Sequence, residues 1–145
     1  MIFGKVVSGR NIDIPQIEKM VGLFINTIPV RVKSEKNYKF SNLLKNIQDQ
    51  SVESGEHDHI SLMNIQEETG LGENSVQTVI AFENYYVEDV SKDLGYEVEN
   101  SKEQTDFDLA LAVSLDEQLH FNLMYRAAKY SVQEICSMTH MQTLL

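Results

Sequence analysis

Between Phe107 and Tyr125 the chain alternates twice over. Phe107, Leu109, Leu111, Val113 and Leu115 hold every second position; after Asp116, Glu117 and Gln118 the alternation resumes with Leu119, Phe121, Leu123 and Tyr125. Asp108, Ala110, Ala112 and Ser114 fall on the opposite face. A period of two is strand geometry, and two such runs about a short polar break predict a β-hairpin. Just beyond it, Ser131 and Glu134 have the spacing of a capping box. That predicts a closing helix running to the end of the chain, with Val132, Ile135 and Met138 facing inward.

Upstream the period changes repeatedly. IFGKVV (2–7) reads as a strand and SGRN (8–11) as a turn. Asp13 is placed to cap a helix, Pro15 suits a first turn, and Ile17, Met20, Val21 and Phe24 follow at i, i+3, i+4, i+7, which predicts a helix ending before Pro29. IPVRVKS (28–34) alternates like a strand, and a polar loop follows to Lys39. Phe40, Leu43, Leu44 and Ile47 give a helix to about Glu53, interrupted by Gly55; a second from about Ser61 to Glu68 would bury Leu62 and Ile65 before Gly70 and Gly72. VQTVIAFENYY (76–86) predicts a largely buried strand, and the polar stretch 87–104 an extended or crossing segment. The order is strand, helix, strand, helix pair, strand, hairpin, helix: an α/β fold, a mixed sheet with helices packed on it, with no repeat and no internal domain boundary.

Composition narrows the function classes. Hydrophobic residues make up 42% and charged residues 23% of 145 positions, which is globular. No apolar run approaches the ~20 residues of a membrane span. MIFGKVVSGR has no apolar stretch before a small-residue cleavage site, so no signal peptide is expected. The net charge of −10, with no dense basic cluster, argues against a nucleic-acid partner. A lone cysteine, Cys136, points to a reducing, cytoplasmic setting, and its place beside Val132 and Ile135 predicts a buried, inert thiol.

Familiar catalytic patterns are absent: no G-x-x-x-x-G-K-[ST], no G-x-G-x-x-G and no G-x-S-x-G. His57 and His59 flank Asp58, but no further His or Cys lies nearby at metal-ligand spacing, so no metal is expected. His120 falls on the polar face of the hairpin, and Glu97, Glu99 and Glu103 read as a solvated run. Composition and periodicity stop at an α/β domain.

Three segments in order go further: VVSGRN (6–11), MVGLFINTIPVRV (20–32), and EHDHISLMNIQEETGLG (56–72) followed by TVIAFENYY (78–86). Together they resemble the condensation domains of nonribosomal peptide synthetases. In that family a strand ending in Ser-Gly-Arg precedes a glycine–aromatic–aliphatic–Asn-Thr stretch closing on an arginine, here Gly22, Phe24, Asn26, Thr27 and Arg31. A loop begun by a histidine and a helix ending in Ile65-Gln66 come next, and FDLALAV with the closing helix matches the last elements. One departure stands out. Many members read His-Gln-Asp-x-Pro-Phe where this chain has His57-Asp58-His59-Ile60-Ser61-Leu62, which puts a role for the loop's acidic residue in doubt. Epimerisation domains are close relatives, but the intact Phe24-Ile25-Asn26-Thr27 run looks more like condensation.

The resemblance implies one lobe of a chloramphenicol acetyltransferase-like fold, in an enzyme that joins a carrier-bound acyl or peptidyl thioester to a carrier-bound aminoacyl amine. The family's motif His-His-x-x-x-Asp-Gly belongs to the N-terminal lobe, and these residues contain no adjacent histidine pair. Residues 1–145 are therefore expected to be part of the C-terminal lobe, without a catalytic residue, inactive alone and cytoplasmic. No cofactor is expected in the chain itself; phosphopantetheine would arrive on carrier-protein domains. The other implied partners are the N-terminal lobe and, through surface that lobe would cover, further copies of the chain.

The site residues implied are Ser8, Gly9, Arg10, Asn26, Thr27 and His57. Arg10 either faces the active site and pairs with the aspartate of the histidine motif, or is a strand-end arginine satisfied by local carbonyls. Ser8 and Gly9 would shape the tunnel wall by close backbone approach. Asn26 and Thr27 suit capping of free backbone groups. Arg31 alternates outward, and His57 would help hold its loop. Two rival functions are a protein-interaction module that reuses the fold without chemistry and a free-standing acyltransferase.

Overall fold

β1 (Ile2–Val7) pairs antiparallel with β2 (Asn26–Arg31) and parallel with β3 (Thr78–Glu83), giving a mixed sheet in the order β2-β1-β3. The register explains how a proline fits inside the strand pair and where the free N–H of nearby Thr27 goes. Met1 and Val32 exchange both backbone bonds, at 3.0 and 2.9 Å. Antiparallel pairs alternate between bonded and non-bonded, so Gly4–Pro29 and Val6–Thr27 are non-hydrogen-bonded pairs. Pro29 therefore omits an N–H that the β1–β2 ladder does not use. Thr27 has an N–H turned away from β1, and the Asn26 side chain accepts it through Oδ1 at 2.8 Å.

The structure is a computed structural model in which residues 1–33, 38–70, 72, 75–83, 105–115 and 117–140 are described. The chain divides into two compact units, Met1–Ala81 and Phe82–Leu145. In the first, α1 (Phe40–Gly55) is tied to β1 by Lys5 Nζ, which donates to Ser51 Oγ at 2.6 Å. α2 (Leu62–Thr69) follows, begun by Ser61 as N-cap and ended by Gly70 in the left-handed conformation. The apolar core of this unit is Val7, Ile17, Ile28, Val30, Val76 and Val79. Leu43 and Ile47 of α1, and Leu62 and Ile65 of α2, are half-buried, whereas Phe40 and Leu44 are exposed.

The helix expected over Asp13 to Phe24 does not form. Its place is taken by a single 3-10 turn, Ile17–Lys19, entered through Gln16 at φ 64° and left through an extended Met20. Arg10 donates to the carbonyls of Ile17 and Met20, and the Ile17 carbonyl also accepts from Met20 N at 3.1 Å, which closes the 3-10 turn. Only Ile17 of the expected apolar stripe is buried; Val21 and Leu23 are fully exposed. The strand expected over 28–34 begins earlier, at Asn26. The strand expected to be largely buried has Val79 enclosed but Phe82 58% exposed.

In the second unit β4 (Leu109–Leu115) and β5 (Leu119–Tyr125) form the expected hairpin, with Leu109 opposite Tyr125 and Leu115 opposite Leu119. The enclosed residues are chiefly on the alanine face, Asp108, Ala110 and Ala112, together with Val113; Leu115, Leu119 and Phe121 near the turn are exposed. α3 (Val132–His140) has the predicted capping box: Ser131 Oγ accepts from Glu134 N at 3.3 Å, and Glu134 Oε2 accepts from Ser131 N at 2.8 Å. Of its expected inward row only Ile135 is buried, while Val132 and Met138 stand exposed. Cys136 is exposed too, against the buried thiol expected, because one enclosed position per turn leaves its neighbour outside. The expected segment 87–104 lies outside the described residues.

Candidate functional site

The candidate residues of the first unit gather around the end of β1. Ser8 is exposed, and Gly9 is buried at φ 64°. A Cβ on Gly9 would lie 1.8 Å from the Phe24 carbonyl oxygen, so the backbone at Gly9 approaches Phe24 closely. Glycine is required both by the left-handed backbone and by the absence of room. Ser8 Oγ accepts from Arg10 N at 3.4 Å and closes the turn.

Arg10 reaches across the same turn. Its Nη1 donates to Ile17 O, its Nη2 donates to Met20 O at 2.9 Å, and its guanidinium lies 4.2 Å from the centre of the Phe24 ring. These are local carbonyls, one of the two arrangements left open by the sequence. The planar fork takes two acceptors while its face meets an aromatic ring, a combination that lysine cannot reproduce.

Asn26 sits in β2 and acts on another part of the chain. Its Nδ2 donates to the carbonyls of Asp58 and Ile60, at 2.8 and 2.7 Å. Those carbonyls belong to the connection between α1 and α2, whose turn otherwise leaves them without a helical partner. Thr27 follows in the strand with its N–H on Asn26. Arg31 is exposed, as its outward alternation predicts.

Asp58 is the residue that the sequence missed. It is 2% exposed, accepts at Oδ2 from Asn11 Nδ2 at 3.2 Å, and its Oδ1 has no partner among the described residues. Its flanking histidines are exposed, so the middle of the H-D-H triplet points in and both ends point out. His57 donates its backbone N–H to Ser54 O at 2.9 Å, and its side chain lines a groove of about 320 Å³ with Pro29, Val30, Gln50, Ser51, Glu53 and Ser54. The departure at Ser61 has a structural counterpart. Ser61 Oγ accepts from Asn64 N at 3.2 Å, so serine starts α2 by capping it. In the sequence Asp58 stands at the glutamine position of the family's third motif, with His59 at the aspartate position, so the motif gave no signal for it.

A second polar cluster, also missed, lies in the second unit. Asp108 is 5% exposed and is paired with Arg126 Nη1 at 3.3 Å and with Lys129 Nζ. Arg126 Nη2 also donates to Asp106 O at 2.6 Å, so the start of β4 is fastened to the turn after β5. A buried carboxylate with two cations is a satisfied structural group. Among the described residues no group of three or more His, Cys, Asp or Glu side chains is gathered as for a metal ion, and no helix is long and apolar enough to cross a membrane.

Known proteins resemble this chain in sequence and in fold. The family model for the condensation domain matches residues 1–145. Tyrocidine synthase 3 of Brevibacillus parabrevis is 42% identical over 137 residues, which is 90% of this chain and 2% of that protein. Surfactin synthase subunit 2 of Bacillus subtilis (strain 168) is 38% identical over 138 residues, 90% of this chain and 4% of that one. Among solved structures, the starter condensation domain of rhizomide synthetase superposes with a TM-score of 0.73 at 14% identity, covering 97% of this chain and 33% of its own. The first condensation domain of the CDA synthetase gives 0.68 at 13% identity, with 97% and 32% covered. The chain thus spans a few per cent of the synthases that it matches and about a third of the solved chains. At these identities the solved structures speak to the fold alone, which is the α/β lobe expected; the family model covers every residue, and the chain belongs to the condensation domain family.

Proposed function

We propose that residues 1–145 are part of the C-terminal lobe of a condensation domain of a nonribosomal peptide synthetase. In this reading the chain helps to form an amide bond. The amine of an aminoacyl group on one carrier protein attacks the thioester carbonyl of an acyl or peptidyl group on another, and the carrier's thiol leaves. Both carriers present their cargo on phosphopantetheine. The observation that carries the reading is the family match over the whole chain.

The chain's own contribution is a wall. Gly9 brings its backbone against Phe24, Arg10 lays its guanidinium on the Phe24 ring, Asn26 holds the α1–α2 connection, and Thr27 gives its N–H to Asn26. A group that abstracts the amine proton would come from the histidine motif of the other lobe, since these residues hold no adjacent histidine pair. The partners are that lobe and carrier proteins, in the cytoplasm. Exposure of Met20, Val21, Leu23 and Ile25 supports a covered surface there, and self-association of the chain when it is alone.

The test is a chimera. Residues 1–145 replace the matching stretch of the tyrocidine synthase 3 condensation domain, donor and acceptor carriers are loaded, and the joined product is sought by intact-protein mass spectrometry. Product formation is the expected result. A folded, correctly loaded chimera that makes none overturns the proposal and favours the interaction module.

A further inference from the structure

Asp58 combines near-complete burial with few partners. It is 2% exposed, one carboxylate oxygen has no partner among the described residues, and the other accepts a single side-chain bond from Asn11 at 3.2 Å. Enclosing a carboxylate is costly, and each bond that it keeps matters more in a low-dielectric surrounding. That one side-chain bond goes to the residue directly after Arg10.

The two ends of the bond differ in freedom. The backbone at Asp58 is clamped, because Asn26 Nδ2 holds both Asp58 O and Ile60 O. Asn11 is exposed and belongs to a turn with an obligate left-handed glycine. The α1–α2 connection is therefore the fixed post, and the turn is what it holds. Arg10 extends from that turn to Ile17 O, Met20 O and the Phe24 ring, so a shift at Asn11 is passed to the whole Ser8–Phe24 contact.

We infer that Asp58 is a positioning residue of the proposed condensation reaction: acting through Asn11, it fixes the Ser8–Asn11 turn and with it Arg10. The inference rests on the function proposed above, and it restores a role to the acidic residue of the His57–His59 loop.

The experiment uses the chimeric domain with Asn11→Asp, Asp58→Asn and the double substitution. Asn11→Asp sets two carboxylates against each other from an exposed position, which leaves the fold standing but displaces the turn. Turnover is expected to fall about tenfold to a hundredfold, the range that small misplacements cause, with acceptor KM little changed and the domain still folded by circular dichroism at the assay temperature, though at a lowered melting temperature. Asp58→Asn keeps an acceptor for Asn11 and loses less. The double substitution restores an amide–carboxylate pair in reverse, with the charge at the exposed end, and recovers most of the turnover.

Full activity of Asn11→Asp overturns the inference, as does failure of the double substitution to recover it, or a loss that merely follows the fraction of folded protein. An inactive unsubstituted chimera is a different result, because it removes the proposed function. The pair is then judged in the 145-residue chain by amide exchange at Gly9, Arg10 and Asn11. Faster exchange in Asn11→Asp, restored in the double substitution, sustains the hold on the turn; unchanged exchange ends it.

Discussion

A few residues do most of the shaping around the end of β1. Gly9 adopts φ 64° with the Phe24 carbonyl directly above it, and Arg10 then spans two carbonyls and an aromatic face. Each depends on the other, since the arginine reaches Ile17 and Met20 only if the turn is tight. Gly9→Ala is expected to lower stability by about 1–3 kcal/mol, the usual range for strained backbone, and more if the 20–25 segment cannot retreat. Chemical denaturation of the two proteins measures it, and an unchanged midpoint refutes the close approach. SGR was visible in the sequence as a turn, and its glycine as a point of close approach. What Arg10 touches was not visible, because a guanidinium at the end of a long flexible side chain can meet carbonyls or a carboxylate equally well. Asp58 was harder still: its burial depends on Asn11 and Asn26, 47 and 32 positions away.

At the scale of elements, local chemistry was legible wherever it was self-contained. The hairpin register and the Ser131–Glu134 box follow from residues within a few positions of each other. The box also sets a pH dependence. Bonds from the backbone and side chain of Ser131 hold the Glu134 carboxyl below its ordinary value. A depressed carboxyl contributes stability at pH above its unfolded value and loses it as pH falls through the folded value. The protection of α3 amides against exchange, taken relative to the intrinsic rate at each pH, should therefore fall on acidification through and below the usual glutamate range. Glu134→Gln, which keeps an acceptor but not a charge, should remove most of that dependence. The segment from Asp13 to Phe24 failed for the opposite reason. Its spacing fits a helix, but an apolar stripe becomes a helix only where something covers it and where its carbonyls are left for its own amides. Here nothing covers the stripe, since Val21 and Leu23 face outward; Arg10 meets the carbonyls of Ile17 and Met20, and the first also serves the amide of Met20 in a tighter 3-10 turn.

At the scale of the molecule, the chain is about a third of the solved condensation-domain chains it superposes on. Met20, Val21, Leu23 and Ile25 stand exposed within six positions, an apolar density that isolated proteins seldom leave uncovered. The 145-residue chain alone is expected to associate as its concentration rises. Val21→Ser with Leu23→Ser should reduce that association without loss of secondary structure, measured by sedimentation and circular dichroism. Association that is indifferent to both changes places the sticky surface elsewhere.

By itself the sequence determined the strands, the hairpin, the helices α1, α2 and α3, the capping box of α3 and the family resemblance, all of which rest on periodicity or on residues close in the chain. Only the tertiary structure decided that residues 17–19 make one turn instead of a helix, that Arg10 serves local carbonyls, that Cys136 faces out, and that Asp58 is enclosed beside Asn11. Those outcomes depend on which distant group arrives first at a carbonyl, an amide or an apolar face, and a linear pattern carries no distance between residues that are far apart along it.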